Sequence, residues 1–139
     1  MKFWDSSAIV ALLVEETGAA DVRKRLEHDP EILVWWGTPV ECVAALARRE
    51  REGSLGSDAV RTALARLRAL SDEWHEVLPT PVLRSVAERM LRVHPLRAAD
   101  ALQLAAAVVA AEQDPTSLEL VSLDERLLEV ASKEGFRVT

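Results

Sequence analysis

The sequence contains a single cysteine and few of the residues that form flexible linkers. Cys42 has no partner for an internal disulfide, which is typical of a protein from a reducing cytosol. With only five glycines, the chain has no Gly/Ser-rich linker, and it contains no internal repeat or low-complexity tract. Its 139 residues are enough to bury a core, so we predict one domain over residues 1–139.

Long apolar runs are also missing. The longest one, residues 98–111, is interrupted by Asp100 and Gln103. It is shorter than the roughly 20 residues that a membrane-spanning helix needs. Near the start, Asp5 interrupts the sequence before the apolar segment of a secretory signal can develop. These features predict a cytoplasmic protein with no membrane span.

Positive charge is scarce. The formal net charge is −6, and lysine occurs at only three positions. This balance argues against sequence-independent binding of nucleic acid through a basic surface. An acidic protein can still bind a polyanion if its carboxylates surround metal ions and its arginines surround the site. The positions of the acidic residues therefore decide which kind of site is possible.

Strand-like and helix-like segments alternate along the chain. Hydrophobic periodicity and β-branched or aromatic content predict strands at residues 2–4, 31–36, 74–78, 118–123 and 136–138, and helices at 6–14, 18–26, 38–52, 57–70, 80–94, 97–112 and 124–133. Thr38, Pro39 and Glu41 predict a capping box at the third helix. The helix at 97–112 is apolar on nearly every side and should be buried. This alternation predicts an α/β fold with a parallel sheet between helices.

Four acidic residues are predicted near one edge of this sheet. Asp5 and Asp124 directly follow strands, and Glu41 begins the helix after the second strand. Asp100 lies in the first turn of the apolar helix. In open α/β sheets, ligands bind beyond the carboxyl ends of the strands. Converging carboxylates repel each other, and Mg²⁺, which prefers oxygen ligands, would relieve that repulsion and could activate water for phosphodiester hydrolysis.

Each acid also has a purely structural interpretation. Asp5 could serve only as a helix N-cap, and Glu41 only as part of the capping box. Asp124 could be a first-turn acid that compensates the helix dipole. An ionised Asp100 is costly in an apolar helix unless it is paired or binds a metal, and Arg97, three residues earlier, is its alternative partner.

Other chemistries have little support. The three histidines lack zinc-ligand spacing, and no P-loop, dinucleotide-binding or nucleophile-elbow motif is present. A phosphoacceptor signalling domain would need a lysine after a late strand, and none stands there. A phosphatase with an aspartate nucleophile would need a second aspartate at the position of Ser7.

Four segments resemble, in order, the sequence motifs of PIN domains. They are residues 3–10, 38–46, 96–105 and 120–128. Together they extend over nearly the whole chain, and the third is the most specific. The size of the chain and its last strand also resemble the VapC-type toxins of that family.

The resemblance implies a PIN-like three-layer fold, with a parallel sheet of about five strands, and a Mg²⁺-dependent endoribonuclease in which Mn²⁺ can substitute. By position, Asp5 and Asp100 would be the main metal ligands. Glu41 and Asp124 would complete the catalytic and metal-binding site. A non-catalytic interaction module of the same fold is the alternative, and the presence of all four acids argues against it.

The resemblance also implies supporting residues and partners. Ser6, Ser7 and Ser122 would be polar groups near the metal, with Ser122 at a position where threonine is common. RNA would be the substrate. A second copy of the chain would form a homodimer, and a small antitoxin would cover the site with its C-terminal segment.

Two further groups of residues are open to two interpretations. Trp35 and Trp36 could stack on a base, although their position at a strand end favours packing. The arginines at positions 48, 49 and 51 could contact RNA phosphates. The interleaved Glu50 and Glu52 favour a solvated, self-paired surface instead.

Overall fold

The computed structural model describes all 139 residues. The strands are β1 (Lys2–Trp4), β2 (Ile32–Trp35), β3 (His75–Val77), β4 (Glu119–Val121) and β5 (Arg137–Val138). The helices are α1 (Ser6–Leu13), α2 (Ala19–His28), α3 (Thr38–Arg51), α4 (Ser57–Ser71), α5 (Pro81–Val93), α6 (Ala98–Ala110) and α7 (Glu125–Lys133), with a 3₁₀ turn at Pro115–Ser117. Each predicted element is present, and none of the helices is long and apolar enough to cross a membrane.

The five strands form one parallel sheet in the order β3-β2-β1-β4-β5. The chain begins in the centre, adds β2 and β3 on one side, and then crosses over to add β4 and β5 on the other. The strand order therefore reverses between β1 and β4. In open parallel sheets, the crevice beyond the carboxyl ends of two such strands is the usual ligand site.

Helices cover both faces of the sheet, which confirms the predicted three-layer α/β fold. Alternate residues along a strand point to opposite faces, so Phe3 and Leu120 face one layer while Trp4 and Val121 face the other. The first pair packs against α5, α6 and α7 through Leu83, Met90, Leu104 and Leu127. The second pair packs in a separate core with Ile9, Leu46, Val60 and Leu67 from α1, α3 and α4.

Helix α6 is central and buried, as its apolar composition predicts. Its consecutive residues Leu104, Ala105, Ala106 and Ala107 are fully buried, because small side chains let α6 approach α5 and the sheet closely. The helix ends at Ala110, two residues before the predicted end. Glu112 and Gln113 have positive φ angles of 53° and 65°, which are incompatible with a continued right-handed helix.

The capping box predicted at Thr38 and Glu41 is wrong. The N-cap of α3 is Gly37, and no side chain caps this helix. Thr38 is fully buried, and its hydroxyl oxygen accepts a hydrogen bond from Gln103 of α6. The Glu41 side chain bonds to Ser6 and Gln103 instead of returning to the N-cap backbone. Contacts with neighbouring helices thus replace the local capping pattern.

Candidate active site

Asp5 lies at the carboxyl end of β1, next to the reversal of strand order. The residue is 3% exposed and is the N-cap of α1. Its Oδ1 accepts a hydrogen bond from the Ala8 backbone N–H at 3.2 Å. The N-cap interpretation is therefore correct. It does not exclude a function, because two hydroxyl groups also bond to this carboxylate.

Ser7 and Ser122 hold the Asp5 carboxylate from two sides. The Ser7 hydroxyl donates to Oδ1 at 2.6 Å, and the Ser122 hydroxyl donates to Oδ2 at 2.7 Å. Each hydroxyl oxygen in turn accepts a backbone N–H, from Leu123 onto Ser7 and from Asp124 onto Ser122, both at 2.9 Å. The single hydroxyl proton of each serine is thus directed at Asp5, an arrangement that suits an ionised carboxylate.

Glu41 extends from the first turn of α3, and both of its carboxylate oxygens are hydrogen-bonded. Oε1 accepts from the Ser6 hydroxyl at 3.3 Å, and Oε2 accepts from Gln103 Nε2 at 2.8 Å. Burial raises the pKa of the Glu41 carboxyl to about 7, with Asp5 and Asp100 adding repulsion and the two hydrogen bonds opposing the change. This side chain is therefore held in place but is poorly compensated for its charge.

The remaining two acids, Asp100 and Asp124, come from the starts of α6 and α7. Asp124 is the N-cap of α7, where Oδ1 accepts the backbone N–H groups of Arg126 and Leu127. Asp100 lies in the first turn of α6, and burial raises its pKa, with repulsion from Asp124 as the next cause. No salt bridge joins Asp100 to Arg97, although the Arg97 backbone N–H and the charges of Arg126 and Arg97 partly oppose the rise in the pKa of Asp100.

The four acids share one unusual electrostatic property. None of them forms a salt bridge with a lysine, arginine or histidine. Burial raises the pKa of the Asp5 carboxyl as well, against hydrogen bonds from Ser7, Ser122 and Ala8, and Asp124 raises it further. Asp5, Glu41 and Asp100 therefore favour a bound cation, because burial and repulsion from neighbouring acids both oppose their charge.

An open cleft of about 700 Å³ joins these groups. Its lining includes Glu41, Asp100 and Asp124 together with Ser6 and Ser7. Asp5 does not line the cleft itself, but its hydrogen-bond partner Ser7 does. The cleft is also lined by four arginines, at positions 48, 49, 97 and 126. The site therefore combines a carboxylate wall with surrounding guanidinium groups, as a metal-assisted site for a polyanion requires.

The family model that matches the chain is that of the PIN domain, over residues 2–133. The chain belongs to the PIN domain family. No curated protein sequence matches it significantly.

Solved structures share the fold of this PIN domain. VapC20 of Mycobacterium tuberculosis, a toxin that cleaves the sarcin–ricin loop, is 22% identical, with a TM-score of 0.69 over 98% of this chain and 96% of that one. FitAcB of Neisseria gonorrhoeae is 19% identical, with a TM-score of 0.61 over 99% and 96%. PAE2754 of Pyrobaculum aerophilum is 22% identical, with a TM-score of 0.63 over 93% and 78%. At these identities the likeness establishes the fold alone.

The acids of this PIN domain leave acceptor sites free for a cation. Oδ2 of Asp5 accepts one hydrogen bond and each oxygen of Glu41 accepts one, so a lone pair remains on each. Oδ2 of Asp124 accepts none, and no side chain donates to Asp100. Carboxylate and hydroxyl oxygens, with no imidazole or thiolate, suit Mg²⁺ or Mn²⁺. The donor set therefore fits the implied ion.

The spacing of these acids limits how an ion could bind. No group of three or more His, Cys, Asp or Glu side chains is arranged to hold a metal ion. Mg²⁺ usually keeps several water ligands and binds through one or two carboxylates, so this spacing remains compatible with a hydrated ion. That all four acids act as metal ligands stays a prediction.

Gln103 of this PIN domain hydrogen-bonds to Glu41 and was not predicted as part of the site. It is 1% exposed and lies three residues after Asp100 on α6, with its amide directed at Glu41. The available signal was a single amide within an apolar helix, on the same face as an aspartate. Cys42, the residue after Glu41 on α3, is a poor nucleophile because burial raises its thiol pKa to about 12.

The structure also decides the interpretations of the tryptophan pair and of the arginines on α3. Trp35 is buried and packs edge-on against Trp36, whose side chain is 52% exposed, so only the first is a core residue. The predicted self-pairing of arginines with Glu50 and Glu52 is wrong. Arg49 instead forms a 2.8 Å salt bridge with Glu16, in the loop between α1 and α2.

Proposed function

We propose that the protein is a Mg²⁺-dependent endoribonuclease and the toxin of a toxin–antitoxin pair. The acidic cleft supports this most directly, because Glu41, Asp100 and Asp124 line it without forming a salt bridge and their oxygens suit a hard divalent ion. Membership of the PIN family supports the same proposal. So does the fold shared with VapC20, a toxin that cleaves the sarcin–ricin loop.

Asp5 and Asp100 are the proposed main ligands, with Glu41 and Asp124 completing the site. When bound, Mg²⁺ supplies a Lewis acid that lowers the pKa of a water molecule and polarises a phosphodiester. The side chains orient this chemistry. Ser7 and Ser122 prevent the Asp5 carboxylate from rotating, and the cleft beside it leaves room for a phosphodiester group.

The arginines that line the cleft are proposed to bind phosphates on either side of the cleaved bond. Arg49 is already paired with Glu16, whereas Arg48, Arg97 and Arg126 have no carboxylate partner. They come from α3, from the N-cap of α6 and from α7, so they lie around the acids rather than on one side. Free guanidinium groups bind phosphate oxygens well, and this arrangement offsets the net charge of −6 locally.

Cleavage of an end-labelled single-stranded RNA by the purified chain tests the enzymatic proposal. We expect internal cleavage with Mg²⁺, none after EDTA treatment, and recovery when Mn²⁺ replaces Mg²⁺, because the donor oxygens suit both ions. An Asp72→Asn variant is the matched control, since Asp72 is exposed and lies outside the cleft. Full cleavage in EDTA would contradict metal dependence.

The proposed control of this activity comes from a partner. A segment of a small antitoxin could place an arginine against the carboxylates, which offer free acceptor oxygens for bidentate pairing. An apolar helix of the same segment could pack on the outer helices, where α3 exposes Val40 and α5 exposes Val82. We also propose that the chain forms a homodimer, as the resemblance to VapC-type toxins implies.

Growth of a bacterial host tests the toxin proposal. Expression of the wild-type chain alone should slow growth, whereas co-expression with the small gene adjacent to it should restore growth and yield a stable, inactive complex. Asp5→Asn expressed alone serves as the control for the burden of expression. Unaffected growth at confirmed expression of an active enzyme would contradict the toxin role.

The second candidate is a non-catalytic interaction module of the same fold. It is favoured by one observation, the absence of three acidic side chains arranged to hold a metal ion. The same RNA assay separates the two, because a non-catalytic module yields no cleavage with any divalent ion.

A further inference from the structure

Gln103 occupies a position where an apolar residue would be expected. It lies in the middle of α6, its side chain is 1% exposed, and the residues that follow it are leucine and alanine. It is three residues beyond Asp100, so both side chains project from the same face of the helix. The two groups thus reach the same region from one rigid element.

The Gln103 amide joins α6 to the first turn of α3. Nε2 carries two N–H groups, and it donates to Glu41 Oε2 at 2.8 Å and to Thr38 Oγ1 at 3.2 Å. The other oxygen of Glu41 is bonded by Ser6, the first residue of α1. A long, flexible carboxylate side chain is therefore held on both oxygens, and Gln103 provides the shorter of the two bonds.

Stability alone does not explain an amide at this position. The Gln103 Oε1 atom is buried and has no hydrogen-bond partner, which costs free energy. Methionine has a similar length and would meet the same apolar neighbours without that cost. The two N–H groups are what the amide adds, and one of them is directed at an acid that lines the cleft.

We propose that Gln103 is a positioning residue that holds the Glu41 carboxylate at the wall of the cleft, in the orientation that receives a divalent cation. The inference rests on the proposed metal-dependent function and extends it to a residue outside the four acids. Groups that orient the ligands of a metal typically change its affinity by about 10- to 100-fold when they are removed.

The test compares Gln103→Met with the wild type in two measurements. Titration calorimetry with Mn²⁺ should show about 10-fold weaker binding, because the Glu41 carboxylate is no longer oriented. The metal-free variant should still fold and melt cooperatively, because methionine fills the same space and because removal of the unpartnered Oε1 offsets part of the loss of the bonds to Glu41 and Thr38. RNA cleavage should be reduced at low Mn²⁺ and should recover towards the wild-type rate as Mn²⁺ approaches saturation.

Thr38→Val is the matched control variant. It removes the second acceptor of the Gln103 amide and leaves the bond to Glu41 intact. Mn²⁺ affinity should stay within about 2-fold of the wild type, even if the melting temperature falls with the lost hydrogen bond.

The outcomes separate this proposal from the proposed function. Wild-type Mn²⁺ affinity in Gln103→Met, or the same loss of affinity in Thr38→Val as in Gln103→Met, would overturn the positioning role while leaving the nuclease intact. A wild-type protein that neither binds Mn²⁺ nor cleaves RNA would overturn both.

Discussion

Replacing Asp5 with asparagine should reduce metal-dependent RNA cleavage by about 10³-fold, a loss comparable to that of other buried electrostatic groups in active sites. The amide removes the negative charge from the most buried acid of the site, which is 3% exposed. Initial cleavage rates at saturating Mg²⁺ measure this effect.

The Asp5→Asn variant should nevertheless fold. Asparagine is an equally good N-cap, so its Oδ1 can still accept the Ala8 N–H. Its Nδ2 can donate to Ser122, whose proton then turns towards Ser7, only 3.2 Å away. Loss of a buried charge also removes repulsion in the metal-free protein. A melting temperature at or above that of the wild type would separate lost catalysis from lost structure, and retained activity would refute the site assignment.

Glu41→Gln should change how the stability of the metal-free protein depends on pH. The pKa of Glu41 is raised from 4.5 to about 7 in the folded protein. Between these values the folded protein binds a proton that the unfolded chain releases, so the free energy of unfolding falls as pH rises. The difference between the two pKa values of Glu41 corresponds to at most about 3 kcal/mol in the free energy of unfolding. Partial exposure of the side chain reduces it to about 1–2 kcal/mol.

Urea unfolding in EDTA at pH 5 and pH 7.5 measures this dependence. The wild type should lose more stability between the two values than Glu41→Gln does. Asp5 and Asp100 also have raised pKa values and destabilise both proteins in the same direction, so the variant should keep part of the slope. Glu73→Gln, at an exposed position outside the cleft, is the matched control. Equal slopes in the wild type and Glu41→Gln would contradict the burial of this carboxylate.

The placement of the acids could be predicted because it depends on short-range patterns. Asp5 and Asp124 each follow an apolar strand and begin a helix, and alternation of strands with helices implies a parallel sheet whose carboxyl ends share one edge. Asp100 was recognisable because a charge within an apolar helix requires a reason. In these cases the relevant neighbours are close in sequence.

The contacts that orient the acids could not be predicted in the same way. Gln103 lies 62 residues from Glu41 and 65 from Thr38, and no local rule connects them. The capping-box pattern failed because burial of Thr38 against α6 offered its hydroxyl another partner. Likewise, Arg49 pairs with Glu16 in a distant loop rather than with neighbouring glutamates. Side-chain pairing across helices depends on packing, which periodicity does not specify.

The pairing of β1 with β4 has a consequence for the timing of synthesis. Asp5 leaves the ribosome well before the Ser122 hydroxyl that holds its Oδ2, which follows 117 residues later, and Asp124 comes later still. At about 5–20 residues per second, the nascent chain spends several seconds or more without these groups. The proposed site, which combines residues of β1 and α1 with residues that follow β4, remains unassembled during that interval. A chain truncated before β4 would therefore carry Asp5 without the Ser122 hydroxyl and without Asp124.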